Sequence, residues 1–327
     1  MAALGLQKDS RTMRCIICLT EKSDQEMSRE HVFPDSIGGS LTNRRVCKAC
    51  NSYLGSKVDV HLTDHSLIQG KRAILGISGK SGNIPNPIKK GILADDPSQR
   101  VDYVTRKDGS FSHVYLHPRV SQENIDHETR IHVSIDGRDK DDLPTIVNKI
   151  LARNGYPALE PDQIEELATT EILDQPTIKS QLAVDTIKYQ RSILKIAYQL
   201  AWHWLGEAYL EDKTGSVLRE CILDEDCPLS QLKDKYKVKG AIGMGMQSQV
   251  SQVFAYDQCH HLAIMMPSDK GVSLYIRIFD IFEGTIVVSE DSYGLQEQDS
   301  KILVINSVSK EHRETDLASE IQRLLGN

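Results

Sequence analysis

Four cysteines near the start of the chain have the spacing of metal ligands. Cys15 and Cys18 form one Cys-x-x-Cys pair, and Cys47 and Cys50 form a second pair after an interval of 28 residues. Two such pairs can place four thiolates tetrahedrally around one zinc ion. The interval exceeds the spacing of about 15–20 residues that is typical of a bare zinc ribbon, which predicts an inserted element between the pairs.

The inserted segment carries residue types that serve in hydrolytic sites. An acidic residue and a histidine come first, a proline, a glycine pair and an asparagine follow, and a second asparagine comes directly after the last cysteine. In chain order these residues are Glu30, His31, Pro34, Gly38, Gly39, Asn43 and Asn51. The glycine pair permits a tight turn that a side chain would block.

From Cys15 to Asp59, this pattern resembles the HNH endonuclease family, in the branch whose ββα-metal fold is held by four cysteines. The resemblance implies that His31 is a general base that takes a proton from water attacking a phosphodiester. It implies that Glu30 and Asn51 hold a catalytic cation, for which their oxygen atoms favour Mg²⁺ or Mn²⁺ over zinc. Asn43 resembles the central asparagine, which holds the loop and helps to orient the histidine.

Two positions depart from the commonest form of that pattern. Glu30 stands where many HNH proteins carry aspartate, and its extra methylene could shift the metal or place a water between them. Asn51 occupies the third motif position, where other family members carry histidine, and asparagine there is a familiar variant of the family. Asp59 lies where related proteins often carry aspartate after Leu-Gly, although capping the following helix would also explain it.

Basic residues flank the candidate site. Residues 1–90 contain 14 Lys and Arg against 8 Asp and Glu, whereas the rest of the chain contains 25 against 38. A locally basic surface is what phosphate binding requires. Four side chains could contact phosphates, or could simply be solvated charges: Arg44, Arg45, Lys48 and Lys57.

The element pattern predicts an α+β protein, with an N-terminal ββα-metal HNH domain and a larger α+β domain with antiparallel strands. The predicted divisions are a tail over residues 1–14, an HNH domain over 15–75, a linker over 76–98 and the α+β domain over 99–327. The linker follows from four Gly and three Pro in that segment. The length of 327 residues fits two domains.

Within the larger domain, the clearest signals are a hairpin, a core helix and a meander. Residues 101–105 and 111–116 flank a turn signal. Apolar residues from Ile193 to Ala208 recur three and one positions apart, which draws one wide stripe on a helix. Strands are predicted at 262–266, 272–279 and 285–289, and a final helix at 314–325.

Composition and hydropathy indicate the cellular compartment in which we expect the protein. No run of 18 apolar residues and no signal peptide is found in the sequence, so we expect a cytoplasmic protein without a membrane partner. Seven cysteines without a secretion signal argue against a disulfide framework. Cys221, Cys227 and Cys259 are expected to be buried or idle thiols.

The leading interpretation is a metal-dependent endonuclease acting on DNA, with RNA left open and a homodimer possible. By analogy with other HNH proteins of this length, phage defence or restriction is the expected context, and residues 99–327 would recognise the target or sense a signal. The alternative is a non-catalytic zinc module that binds nucleic acid or protein. A thiol-disulfide oxidoreductase fits less well, because neither cysteine pair lies in a βαβ pattern.

Overall fold

The computed structural model describes residues 12–125, 128–226, 235–245, 253–254 and 256–326. It divides into two compact units. The discontinuous unit consists of Met1–Pro85 and Val184–Asn327, and the inserted unit is Asn86–Ala183. Within the described ranges, no helix has both the length and the apolar character needed to cross a membrane.

The N-terminal part of the discontinuous unit contains two hairpins followed by helices. Its strands are β1 Thr12–Arg14, β2 Glu21–Ser23, β3 Met27–His31 and β4 Thr42–Cys47. Its helices are α1 Lys48–Tyr53, α2 Val60–Thr63 and α3 Ser66–Leu75, with the π-helical turn Leu54–Asp59 joining α1 to α2. Strands β3 and β4 pair antiparallel and lead directly into α1, so the predicted ββα order is confirmed.

The inserted unit is a separate antiparallel sheet structure. Its elements are β5 Lys90–Leu93, β6 Arg100–Thr105, β7 Phe111–Leu116, β8 Arg119–Ile125, β9 Glu128–Ser134, α4 Leu143–Arg153, α5 Pro161–Leu167 and β10 Ile178–Lys179. Four strands form a sheet in the order β10-β5-β6-β7, and β8 pairs with β9. The segment predicted as a linker therefore contains β5, because its Gly and Pro residues flank a short extended run rather than exclude one.

In the described residues, the second part of the discontinuous unit combines three α-helices with a six-stranded sheet. Its elements are α6 Tyr189–Leu205, α7 Lys213–Leu223, β11 Gly240–Met244, β12 His260–Ser268, β13 Gly271–Ile278, β14 Phe282–Ser289, β15 Lys301–Asn306, β16 Glu311–Asp316 and α8 Leu317–Leu325. The sheet is antiparallel in the order β11-β14-β13-β12-β15-β16. The final helix begins later than predicted, because Glu314–Asp316 complete β16 and the Asp316 side chain caps α8.

One continuous apolar core joins the two parts of the discontinuous unit. Phe33 and Ile37 from the N-terminal part belong to the same buried cluster as Ile196 and Leu200 of α6 and Leu303 of β15. The division therefore differs from the expected single domain over 99–327. The physical reason is that periodicity identifies the apolar face of α6 but carries no information on what that face packs against.

The isolated cysteines follow the expectation where they are described. Cys221 is buried in α7 and Cys259 is half-buried. Cys227 and residues 1–11 of the predicted tail lie outside the described residues.

The glycine pair lies in a turn that leaves no room for side chains. Gly38 has a φ of +88°, and a Cβ atom there would lie 2.2 Å from the carbonyl oxygen of Ser307. A Cβ atom on Gly39 would lie 1.9 Å from the carbonyl oxygen of Phe33. The turn therefore brings the loop after β3 into close contact with the chain that follows β15.

A buried histidine joins this turn to the sheet. His261 of β12 is fully buried, its Nε2 lies 2.8 Å from the carbonyl oxygen of Ile37, and its Nδ1 accepts a hydrogen bond from the Phe279 backbone N–H at 3.2 Å. Its ring stacks on Phe33 with 5.4 Å between centroids. Burial lowers the pKa of His261 to about 4, so the ring is neutral near pH 7.

This low pKa predicts a loss of stability in mild acid. An unfolded histidine titrates near pH 6.5, so protons bind the unfolded chain more tightly than the folded one below that pH. The free energy of unfolding should therefore fall as the pH drops from about 6.5 to about 4, by about 3 kcal/mol from this group. Urea unfolding of wild type and His261→Gln at several pH values measures this pH dependence of the free energy of unfolding.

The variant provides the internal control, because both proteins share all other acid-sensitive groups. We expect His261→Gln to be less stable than wild type at pH 7.5 but to lose less stability on acidification. Equal losses in the two proteins would contradict the assignment.

Candidate active site and metal centre

The four cysteines converge on one point. Cys15 follows β1, Cys18 lies in the turn before β2, Cys47 ends β4 and Cys50 lies in the first turns of α1. Their Sγ atoms all lie within 4.8 Å of one another, and Cys15 and Cys47 are buried. This donor set is compatible with a structural zinc ion, as the spacing predicted.

The electrostatics of the thiols support the same conclusion. A hydrogen bond from Cys50 lowers the pKa of Cys15 to about 4, and the same contact raises the pKa of Cys50. Burial raises the pKa of Cys47. Without a cation, ionisation of one thiol therefore opposes ionisation of its neighbours, and a divalent ion removes this conflict.

Three of the candidate catalytic residues lie on the β3–β4 hairpin, and the fourth, Asn51, lies on α1. Glu30 stands opposite Asn43, and His31 is the last residue of β3. A β-bulge lies next to the Glu30–Asn43 pair. Two residues of β4, Arg44 and Arg45, stand there opposite the single residue Arg29 of β3. Bulges redirect side chains and are frequent next to active sites.

Helix α1 is fixed to the strand at this bulge. The Asn51 side-chain amide donates to the Arg29 carbonyl at 3.1 Å and to Ser28 Oγ at 3.0 Å. The Asn43 side-chain oxygen accepts from the Arg45 backbone N–H at 3.1 Å. Both asparagines therefore stabilise the hairpin geometry, and Asn51 uses its amide nitrogen for this purpose and not its oxygen.

His31 has the surroundings of a neutral imidazole. Its side chain is 27% exposed, and its Nε2 lies 3.9 Å from Asp35 Oδ1, which is too long for a hydrogen bond. Asp35 is instead held by Lys310 at 2.6 Å. Burial lowers the pKa of His31 below its ordinary value of 6.5, although Asp35 acts in the opposite direction. A largely neutral ring near pH 7 suits a proton acceptor.

Glu30 is buried and bound from one side by the protein. Its Oε1 lies 2.7 Å from Lys195 Nζ and accepts from Gln199 Nε2 at 3.2 Å. Both contacts use Oε1, so Oε2 takes part in neither of them. Glu30 Oε2 and the Asn51 side-chain oxygen are atoms of the type that Mg²⁺ and Mn²⁺ prefer, so these residues are chemically compatible with such an ion.

Asp59 is brought to the same place by the π-helical turn. Its Oδ2 lies 3.1 Å from Lys195 Nζ, whereas its Oδ1 is buried with no hydrogen-bond partner among the described residues. Burial raises the pKa of Asp59 to about 6, with Lys195 acting in opposition. Burial alone would lower the pKa of Lys195, but Asp59 and Glu30 outweigh it and the pKa is raised, so the amine is charged.

The four candidate phosphate-contacting residues divide into two groups. Arg45 makes a two-pronged ion pair with Glu207 at 2.6 and 3.0 Å, and Lys57 lies 3.4 Å from Glu225. Arg44 and Lys48 are exposed. Intramolecular partners therefore occupy Arg45 and Lys57, while Arg44 and Lys48 face solvent next to the hairpin.

Sequence reasoning missed Lys195 and Gln199, and for Asp59 it left two readings open, a family position after Leu-Gly and a helix cap. A signal for the first two exists in α6, where Ser192, Lys195 and Gln199 recur three and four positions apart within a largely apolar stretch of the helix. Such a stripe normally faces solvent, but all three residues are fully buried. The polar stripe of a buried helix is thus the face that meets the candidate site.

The hairpin, the helix and the four-cysteine cluster define a ββα-metal domain whose cysteines are compatible with a structural zinc ion. Residues 15–67 match the sequence model of the HNH endonuclease family, so this segment is an HNH-type domain. Comparisons with curated proteins and with solved structures find no match to the chain.

Proposed function

We propose that the protein is a metal-dependent endonuclease that hydrolyses phosphodiester bonds in DNA, with His31 as the general base. The observation that carries the proposal is the position of His31: a partly exposed imidazole with a lowered pKa directly follows a buried carboxylate on an HNH-type hairpin. An HNH match supports a nuclease-like role, and the chemistry assigned to individual residues is our proposal.

In the proposed mechanism, the neutral ring of His31 accepts a proton from a water molecule while that oxygen forms a bond to phosphorus. The bond from phosphorus to the leaving oxygen then breaks. Glu30 and Asn51 would hold Mg²⁺ or Mn²⁺, which supplies stabilisation of the charge that develops on the phosphate and the leaving oxygen. Asn43 keeps the strand end in register, so that His31 points to the substrate.

Arg44 and Lys48 are the side chains that we assign to the DNA backbone, because both are exposed beside the hairpin. Phosphate contacts of this kind position the strand without reading its sequence. One such site cuts one strand, so a double-strand break requires two sequential nicks or a homodimer. A role in phage defence or restriction, in the cytoplasm, is part of the same proposal.

The test is a cleavage assay on supercoiled plasmid, linear duplex, single-stranded DNA and RNA, each with Mg²⁺ or Mn²⁺, beside a zinc assay of the same sample. The proposal predicts one zinc per chain and metal-dependent cutting of DNA. A protein that holds zinc and binds DNA without turnover would instead be the non-catalytic zinc module, and preferential cutting of RNA would change the substrate class.

We assign target recognition or regulation to the inserted unit, because residues 184–326 share the core of the HNH domain and Asn86–Ala183 form a compact unit of their own. Replacing Asn86–Ala183 with a short Gly/Ser linker should leave zinc content and basal plasmid cutting intact. It should change the choice among sites or substrates, which is measured by mapping cleavage ends. An unchanged cleavage map would contradict this role.

A further inference from the structure

The candidate carboxylate ligand is held by residues far from the HNH motif in sequence. Lys195 and Gln199 both reach Oε1 of Glu30, although they lie well beyond the matched segment of residues 15–67. The two residues are four positions apart on α6, so their side chains lie on the same face of the helix. Both side chains are fully buried.

Lys195 places one fixed positive charge among four oxygen atoms. Its Nζ lies 2.7 Å from Glu30 and 3.1 Å from Asp59, and it donates to the carbonyl oxygens of His31 at 2.8 Å and Val32 at 3.3 Å. A buried ammonium is tolerated only when it is paired and hydrogen-bonded, and here every N–H has an acceptor within reach. The contact also fixes the backbone of the residue that carries the imidazole.

Gln199 links the two strands of the hairpin through their side chains. Its Nε2 donates to Glu30 Oε1 at 3.2 Å, and its Oε1 accepts from Asn43 Nδ2 at 2.9 Å. The amide of Gln199 therefore holds Glu30 and Asn43 in one arrangement. Asn43 in turn accepts the hydrogen bond from the bulged strand, so the chain of contacts runs from α6 to the bulge.

We propose that Lys195 and Gln199 are positioning residues of the nuclease site, which bind one oxygen of Glu30 so that the other is presented to the catalytic cation. The inference rests on the proposed function. Partners that orient a metal-binding carboxylate typically change metal affinity or activity by about 10–100-fold when they are removed. The second part of the discontinuous unit is then a component of the active site and not an accessory to it.

A merely structural role would have a different signature. Tyr198 is the adjacent residue of α6, is also fully buried, and donates a hydrogen bond to the Ile16 carbonyl at 2.5 Å. It thus contacts the HNH domain, and it takes no part in the hydrogen bonds and ion pair described above for Glu30 and Asn43. Tyr198→Phe removes a buried hydrogen bond of the same helix and is the matched control for Gln199→Met, which keeps the length of the side chain.

The experiment uses the full-length, zinc-loaded protein and titrates it with Mn²⁺, following free Mn²⁺ by its EPR signal. Wild type should bind one Mn²⁺, and Glu30→Gln should abolish that binding and so assign the site. Gln199→Met should weaken Mn²⁺ binding at least 10-fold while zinc content stays at one per chain. Tyr198→Phe should change the Mn²⁺ affinity less than twofold, even if it lowers the melting temperature as much as Gln199→Met does.

A second variant covers the case in which Gln199→Met loses zinc. Lys195→Arg keeps the charge but cannot place it at the same four oxygens, and it should weaken Mn²⁺ binding in the same direction. Wild-type affinity in either folded variant, or a wild type that binds no Mn²⁺, overturns the inference. If wild type and variants differ in Mn²⁺ affinity but none cuts nucleic acid, the proposed function fails while the positioning role stands.

Discussion

Replacing His31 with alanine is expected to lower the rate of phosphodiester cleavage by about 10²–10⁴-fold, the usual contribution of general acid–base catalysis. The reason is that no other described group next to Glu30 combines partial exposure with a pKa lowered by burial in the way that His31 does. The measurement is the initial rate of plasmid nicking at saturating Mg²⁺ or Mn²⁺, with zinc content and melting temperature determined on the same preparation.

His61→Ala is a suitable control for this substitution. His61 lies on α2 of the same unit, and its pKa is also lowered by burial, but none of the contacts that hold Glu30, Asn43 or Asn51 involves it. We expect its cleavage rate to stay within about twofold of wild type. If His31→Ala cuts as fast as His61→Ala, His31 is not the general base.

Removal of the zinc is expected to unfold the discontinuous unit. Structural zinc contributes about 10–16 kcal/mol of apparent binding free energy in zinc-finger peptides, whereas a whole domain is stable by about 5–15 kcal/mol. Cys15 and Cys47 also belong to the core that α6 completes, so their displacement would open that core. Circular dichroism and thermal melting before and after chelation, and on Cys47→Ser, measure the effect.

Cys259→Ser separates loss of zinc from loss of a thiol. Cys259 is half-buried and lies in none of the metal-binding groups found among the described residues. This variant should retain one zinc and melt close to wild type, whereas Cys47→Ser should lose both the metal and the cooperative transition. A metal-free protein that melts like the zinc-loaded one would show that the cluster has no stabilising role.

Individual elements of the fold could be predicted from sequence because residues that are close together in the chain determine them. The two Cys-x-x-Cys pairs predicted the metal cluster, and the apolar stripe from Ile193 onward predicted α6. The hairpin at residues 101–116 followed from its turn residues. The start of the final helix was wrong by three residues, because Glu314–Asp316 gain ladder hydrogen bonds to β15 that no local pattern announces.

The surroundings of the candidate site could not be read in the same way. The spacing around Glu30 and His31 indicated chemistry, but the contact between Glu30 and Gln199 joins residues 169 positions apart. Propensity and periodicity describe neighbours along the chain, and they do not say which helix covers a given carboxylate. The assignment of Lys195 and Gln199 to that carboxylate therefore required three-dimensional structure.

The shared core also determines when the domain can form during synthesis. A ribosome adds about 5–20 residues per second, so Gln199 follows Glu30 into the nascent chain by about 10–30 s. For most of that interval, from Asn51 onward, the four cysteines, His31 and Asn51 have already been made, but helix α6 has not. A growing chain that ends before α6 thus carries the complete HNH motif without the side chains that bind Glu30. Synthesis of the HNH motif and completion of the candidate site by α6 are therefore separated in time.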